Sequence, residues 1–281
     1  MNKIIKHSVY VITENPVSLV AFVLMFCILF VGIFGSALAP SDPYHTDPSL
    51  SFKPPSSEHW FGTDQLGRDI LSRVITATRI DLIIAFSAVM LSFFIGGIIG
   101  GISGFFGGRL DMVLGRLFDI LMAFPLFVLA MALVAALGNE IVNIVYATAV
   151  INLPFYYRLS RTEVNVKRSL PYSEAALVSG NTRMQVLFRF LLPNALPPML
   201  VTVSLNMGWA ILNAAGLSFI GLGIRPPTAE WGIMVAEGAT QIISGYWWTA
   251  LFPGLALTIT VFCFNLLGDS LRDIFDPRMR S

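Results

Sequence analysis

The apolar residues of this chain fall into six long continuous runs, at roughly residues 17–38, 82–103, 117–137, 141–157, 199–222 and 248–267. An α-helix needs about 20 apolar residues to cross the hydrocarbon of a bilayer. In lipid every backbone N–H and C=O must be satisfied inside its own segment, so such runs are expected as helices. A membrane barrel needs alternating strands, and these runs do not alternate. Only 12% of the residues are charged and mean hydropathy is +0.73. A soluble core could not hide that much apolar sequence. The expectation is an all-α integral membrane protein of about six transmembrane helices.

The N-terminus has features of a secretion signal: Lys3 and Lys6, then an apolar run closing at Ala37-Leu38-Ala39. The run is much longer than a signal core of about 7–15 residues, and Pro40 follows at once. A retained first helix is expected. Lys53, Arg68, Arg73, Arg79 and Arg225 fall on one side of the resulting topology and the remaining basic residues on the other. The positive-inside rule then places both termini in the cytoplasm. This leaves outer segments at about 39–81 and 223–247 and one large inner loop at 158–198. The expected division is residues 1–75 as first helix and outer loop, and 76–281 as the main membrane domain. Net charge is only +1, which gives no basis for nucleic-acid binding.

Catalytic and metal chemistry find little support. Cys27 and Cys263 lie in apolar runs and read as buried structural thiols. His59, Asp64 and Asp69 share an outer loop, but one histidine and two aspartates are more simply a folded loop. Gly62 and Gly67 are expected to make turns there, Asp64 to cap residues 65–73, and Arg68 to pair with an aspartate. There is no G-x-x-x-x-G-K-[ST] phosphate loop, so the chain does not bind ATP in that way. No catalytic, metal or cofactor residue is assigned.

Small residues cluster in the second run. Gly96/Gly100 and Gly97/Gly101 are small-xxx-small pairs that let helix backbones approach closely in lipid. Pro125 predicts a kink in the third span. Asp119 is expected to pair with Arg116 three residues earlier. Asn206 and Asn213 are seven residues apart in the fifth span and so share a helix face, with Trp209 between them. Such groups either line a polar path or hydrogen-bond between helices. Asn143, Asn152 and Asn265 carry the same two readings.

The inner loop contains LPYSEAALVSGNTRMQVLFRFLLPN from Leu170 to Asn194. Ser173 is expected to cap a short helix, with Glu174 in its first turn. Gly180-Asn181 should end that helix. A second helical stretch, 182–192, should stop before Pro193.

Glu174-Ala175-Ala176, then Gly180, then Leu192-Pro193, resembles the EAA loop of binding-protein-dependent ABC importers. Phe190 stands where that pattern often has histidine. The outer stretch from Pro55 to Arg73, including His59, Trp60, Gly62, Asp64, Gly67, Arg68 and Asp69, is similar to the dipeptide, oligopeptide and nickel branch. So are Leu217–Gly223, Pro226-Pro227, Glu230-Trp231-Gly232, Asn265–Asp269 and Asp276-Pro277. Within that branch the chain looks most like the second of two permease subunits.

The resemblance implies a type I importer permease in a bacterial inner membrane, moving peptides or small solutes such as nickel chelates. It implies a homologous permease as partner in a heterodimer, two ATPases that bind ATP and magnesium, and an external solute-binding protein. Glu174, Ala175, Ala176, Gly180, Leu192 and Pro193 would couple to the ATPases, and the outer-loop residues would be structural or docking. A secondary transporter or channel is the rival reading. It would need ionisable relays or a filter within the spans, and it leaves the inner-loop motif unexplained.

Overall fold

The computed structural model describes residues 15–275, so Lys3, Lys6, Asp276, Pro277, Arg278 and Arg280 lie outside the described residues. Nine α-helices make up most of it: α1 (Pro16–Leu38), α2 (Ile70–Phe106), α3 (Gly108–Ala123), α4 (Leu126–Leu137), α5 (Ile141–Arg168), α6 (Pro171–Val178), α7 (Arg183–Phe219), α8 (Trp231–Ala239) and α9 (Trp248–Phe275). α1, α2, α7 and α9 are each long and apolar enough to cross a membrane. The bent pair α3–α4 makes a fifth crossing if taken as one span.

The run at 141–157 became α5, whose 28 residues give it ample length. Its Asn, Tyr and Arg content makes it too polar for that standard. It can be polar because protein covers it. An added Cβ at Gly96, Gly100 or Gly104 of α2 would stand 2.8, 2.2 or 2.3 Å from the carbonyl oxygens of Leu153, Tyr157 and Arg161 in α5. Ser92 adds a hydrogen bond to the Ala149 carbonyl at 2.9 Å, and Ser160 one to the Gly97 carbonyl at 2.6 Å. Gly97 and Gly101 point elsewhere, toward Met199 and Leu192 of α7. The two glycine pairs therefore seat two different helices, as close packing in lipid requires.

The third apolar run is not one straight helix. α3 and α4 meet at 91°. Phe124 is extended (φ −80°, ψ 140°) before Pro125, because the proline ring excludes the helical conformation from the residue ahead of it. α3 lies along the C-terminal half of α5 instead. Arg161 grips Asp111 with two nitrogens, and Arg158 Nη2 lies 2.7 Å from Asp119. Asp119 thus pairs across helices with Arg158, not with Arg116. Phe118 stacks on Tyr157 at 4.1 Å between centroids.

The thiols also divide. Cys263 is buried, but Cys27 is exposed, since α1 packs mainly on α2 and α9 and turns much of its surface outward. Asn143 lies at a helix junction, donating to the Leu137 carbonyl at 2.7 Å. Asn152 is buried and bonds within its own helix, and Asn265 is exposed.

The helices run between two ends of the bundle. At one end, Arg168 of α5 bonds the Gly104 and Phe105 carbonyls near the close of α2, and α6 follows directly. At the other end lie residues 39–69, α8, and the start of α9. Trp231 anchors that end through its backbone N–H to Asp81 (3.2 Å) and its indole to the Val74 carbonyl (3.1 Å).

Candidate functional site

The end bearing α6 is built as a small projecting helix with closed joints. Ser173 and Ala176, three residues apart, face inward and are buried. Ala176 packs in the same apolar cluster as Val164, Val186 and Leu187. Glu174, Ala175, Leu177 and Val178 face outward, and Val178 is 89% exposed. Leu170, not Ser173, occupies the N-cap position, and Pro171 starts the helix because its missing N–H would have had no partner there.

The helix closes as the sequence predicts. Gly180 is left-handed at φ +87°. Its N–H bonds the Leu177 carbonyl at 3.0 Å, and the Asn181 N–H reaches back to the Ala176 carbonyl at 3.3 Å. This is a Schellman end. Asn181 adds its side-chain amide to the same Ala176 carbonyl at 2.8 Å. One residue later Thr182 and Gln185 form a reciprocal capping box.

The second stretch does not stop before Pro193. It continues as α7 to Phe219 through a π-helical turn at Val186–Leu191. The wider turn is a known way to accommodate groups left without an i−4 partner. Asn194 Nδ2 takes up the Phe190 carbonyl at 2.6 Å. Leu192 packs toward Gly101 of α2, while Pro193 is exposed. Of the residues matching the inner-loop motif, Glu174, Ala175 and Gly180 are therefore at the surface of the projecting turn. Ala176 and Leu192 hold that turn to the bundle.

At the opposite end, residues 39–69 form a tied loop. Gly62 and Gly67 both have φ +73°, and a Cβ at Gly67 would stand 1.9 Å from the Asp47 carbonyl oxygen. Asp64 Oδ1 accepts the N–H groups of Leu66 (2.8 Å) and Arg68 (3.0 Å), so it caps the turn rather than the following helix. Asp69 caps α2, accepting from the Ser72 N–H and hydroxyl at 2.8 and 2.7 Å. His59 Nδ1 lies 2.9 Å from the other Asp69 oxygen.

Arg68 is 2% exposed and Arg73 1% exposed. Arg68 Nε donates to Asp64 at 2.6 Å and its Nη2 lies 3.6 Å from Glu237 of α8. Arg73 lies 3.6 Å from Asp64 and bonds the Pro43 carbonyl. Burial holds the Glu237 carboxyl above its usual range, with Arg68 and Arg73 opposing that rise. Phe52 stacks on Tyr246 and Phe61 on Phe252, while Trp248 donates to the Thr63 carbonyl at 3.2 Å. Trp60 alone of the aromatic residues in this motif projects outward, at 69% exposure. The pairing role of the half-buried Glu237 was missed in the sequence; the glutamate follows the Glu230-Trp231-Gly232 motif with no spacing that links it to Arg68.

In α7, Asn206 is buried and its Nδ2 has no hydrogen-bond partner, a condition it shares with the Tyr156 hydroxyl of α5. One turn on, Trp209 is 63% exposed. Asn213 is half-buried and donates to the Trp209 carbonyl at 2.9 Å.

Residues 92–281 match the family described as binding-protein-dependent transport system inner membrane component. The chain is 40% identical to the dipeptide transport system permease protein DppC of Alkalihalophilus pseudofirmus, over 95% of this chain and 88% of that one. It is 38% identical to the di/tripeptide transport system permease protein DppC of Pseudomonas aeruginosa, over 95% and 90%. It is 41% identical to the glutathione transport system permease protein GsiD of Pectobacterium atrosepticum, over 81% and 75%. An all-helical bundle with several membrane-crossing helices and a capped helix projecting from one end agrees with these matches. The chain belongs to the inner-membrane components of binding-protein-dependent transport systems, as a multi-pass permease.

Proposed function

We propose that this chain is one half of the membrane pore of an ATP-driven importer for short peptides or related small solutes, nickel chelates included. The observation that carries the reading is the construction of α6. Its outward face, with Glu174, Ala175, Leu177 and Val178, is exposed, its small inward residues Ser173 and Ala176 are seated in the core, and hydrogen-bonded caps join it to α7. A helix held in this way moves as a rigid body with the span that follows it. α7 has 37 residues and so extends about 55 Å at 1.5 Å per residue, long enough to carry a displacement from α6 to the other end of the bundle.

In this reading α6 and both termini are cytoplasmic. Glu174, Ala175, Ala176 and Gly180 engage a cleft of a separate ATPase, and Leu192 and Pro193 pass the motion to α7. Two ATPases bind and hydrolyse ATP with magnesium. This chain performs no covalent chemistry and holds no cofactor. A homologous permease supplies the other half of the pore, with Trp209, Asn213 and Asn206 on the side of α7 nearest the path. The solute-binding protein docks on residues 39–69, where Trp60 offers the exposed aromatic anchor. The peptide substrate class follows the named substrates of the relatives.

The test is Glu174→Lys in the assembled transporter. Uptake of a labelled dipeptide should be lost while membrane insertion and assembly of the permease pair persist. Cysteines at Glu174 or Val178 should crosslink to the ATPase from the cytoplasmic side. Normal uptake by the variant, or crosslinking only from the outer side, overturns the reading.

A further inference from the structure

An apolar groove of about 740 Å³ runs between α1, α2, α7 and α9. That is the size of a small-molecule site, which spans about 300–1,000 Å³. Leu29, Leu82, Phe86, Val203, Met207 and Leu267 line it. The hydroxyl of Ser204 on its wall is already spent on the Phe264 carbonyl at 2.8 Å. One charged residue lines the groove: Arg79, the most N-terminal of its α2 residues. Arg79 is exposed, and no described residue forms an ion pair with it. Its neighbour Asp81 is buried and turned to the Trp231 N–H.

Arg79 stands just before the continuous apolar run of α2, at the end of the bundle opposite α6. This is the level of the membrane–water boundary, where long basic side chains meet headgroups. From Arg79 to Ser87 the α2 wall descends about 12 Å into the bilayer. The groove also lies on the far side of α7 from the proposed path, because Trp209 sits about 200° around the helix from Met207. That side faces lipid when the pore lies between two permeases.

We propose that this groove is a fixed phospholipid site, with one acyl chain lying along α1, α2, α7 and α9 and the headgroup phosphate held by Arg79. A guanidinium suits a phosphodiester in charge and geometry, and the walls below it ask for nothing but hydrocarbon. The proposal depends on membrane insertion and not on the transported solute.

The full chain, purified with its partner subunits, is reconstituted in nanodiscs of phosphatidylethanolamine and phosphatidylglycerol carrying a trace of phosphatidylglycerol with an acyl-chain diazirine. Photolysis should label peptides containing Met207 and Leu267 above those of the exposed α1 residue Phe26. Arg79→Gln should lower the groove labelling about tenfold with Phe26 labelling unchanged. Val203→Trp, which fills the groove, should abolish it. Uniform labelling of groove and exposed positions overturns the proposal. So does a disulfide from Val203→Cys to the partner permease, which would make the occupant a protein helix.

Discussion

Gly100 of α2 lies directly on the backbone of Tyr157 in α5: an added Cβ would stand 2.2 Å from the Tyr157 carbonyl oxygen. No real side chain fits there, and the obstacle is backbone, which cannot rotate away. Gly96 and Gly104 make the same contact one turn to either side. The α2–α5 contact therefore depends on the absence of atoms along one line of α2. Gly100→Ala should force the helices apart and cost about 1–3 kcal/mol, the usual range for overpacking. Gly115→Ala is the control, since its Cβ would meet only the Tyr157 hydroxyl at 3.7 Å. Thermal unfolding of the detergent-solubilised chain separates the two.

Arg68 joins the 39–69 loop to α8 through Asp64 and Glu237 while almost fully buried. Removing one partner from such a group leaves charge without compensation, at a cost of about 3–5 kcal/mol. Arg68→Ala should destabilise the chain by that order and open the 39–69 loop to protease. Arg68→Lys keeps the charge but not the fork that serves two carboxylates, and should recover only part of the loss.

Glu237 gives that network a pH dependence. Burial raises its carboxyl above the ordinary 4.5, and Arg68 and Arg73 only partly oppose the rise. The folded chain thus holds this proton more tightly than the unfolded chain. The stabilisation from this group is present below 4.5 and is lost as pH rises through the folded value. Glu237→Gln removes the titration. Its stability relative to the native chain should therefore improve as pH climbs from 4 toward neutrality. Parallel pH profiles for the two proteins would contradict the assignment.

The sequence revealed best what depends on composition and local backbone. The first apolar run matched α1 at its C-terminal residue, and the glycine pairs marked the helix contact of α2, because lipid imposes a length and close packing imposes small residues. Gly180 was legible since only a left-handed residue ends a helix in this way. What failed depended on distant partners. Asp119 had a local candidate in Arg116, yet the bend at Pro125 lays α3 on α5 and delivers it to Arg158. Pro193 reads as a stop, but the π-turn ahead of it absorbs the missing donor. Cys27 and Cys263 look alike in sequence and differ only in how much of their helices is covered.

Gly180 allows a sharper test of the projecting turn than substitution by size. Its φ is +87° and no atom lies within 4 Å of where a Cβ would be. The requirement there is backbone handedness, not space. A β-branched residue is disfavoured in that conformation by about 1–2 kcal/mol, whereas asparagine tolerates it. Gly180→Val should unseat the Schellman bonds to Leu177 and Ala176, turn the outward face of α6, and suppress ATP-driven uptake. Gly180→Asn should keep most of it, although its side chain is also large. If both variants fail equally, the surface at Gly180 is needed bare for contact with the ATPase. If only valine fails, the turn acts by fixing the direction in which α6 is presented.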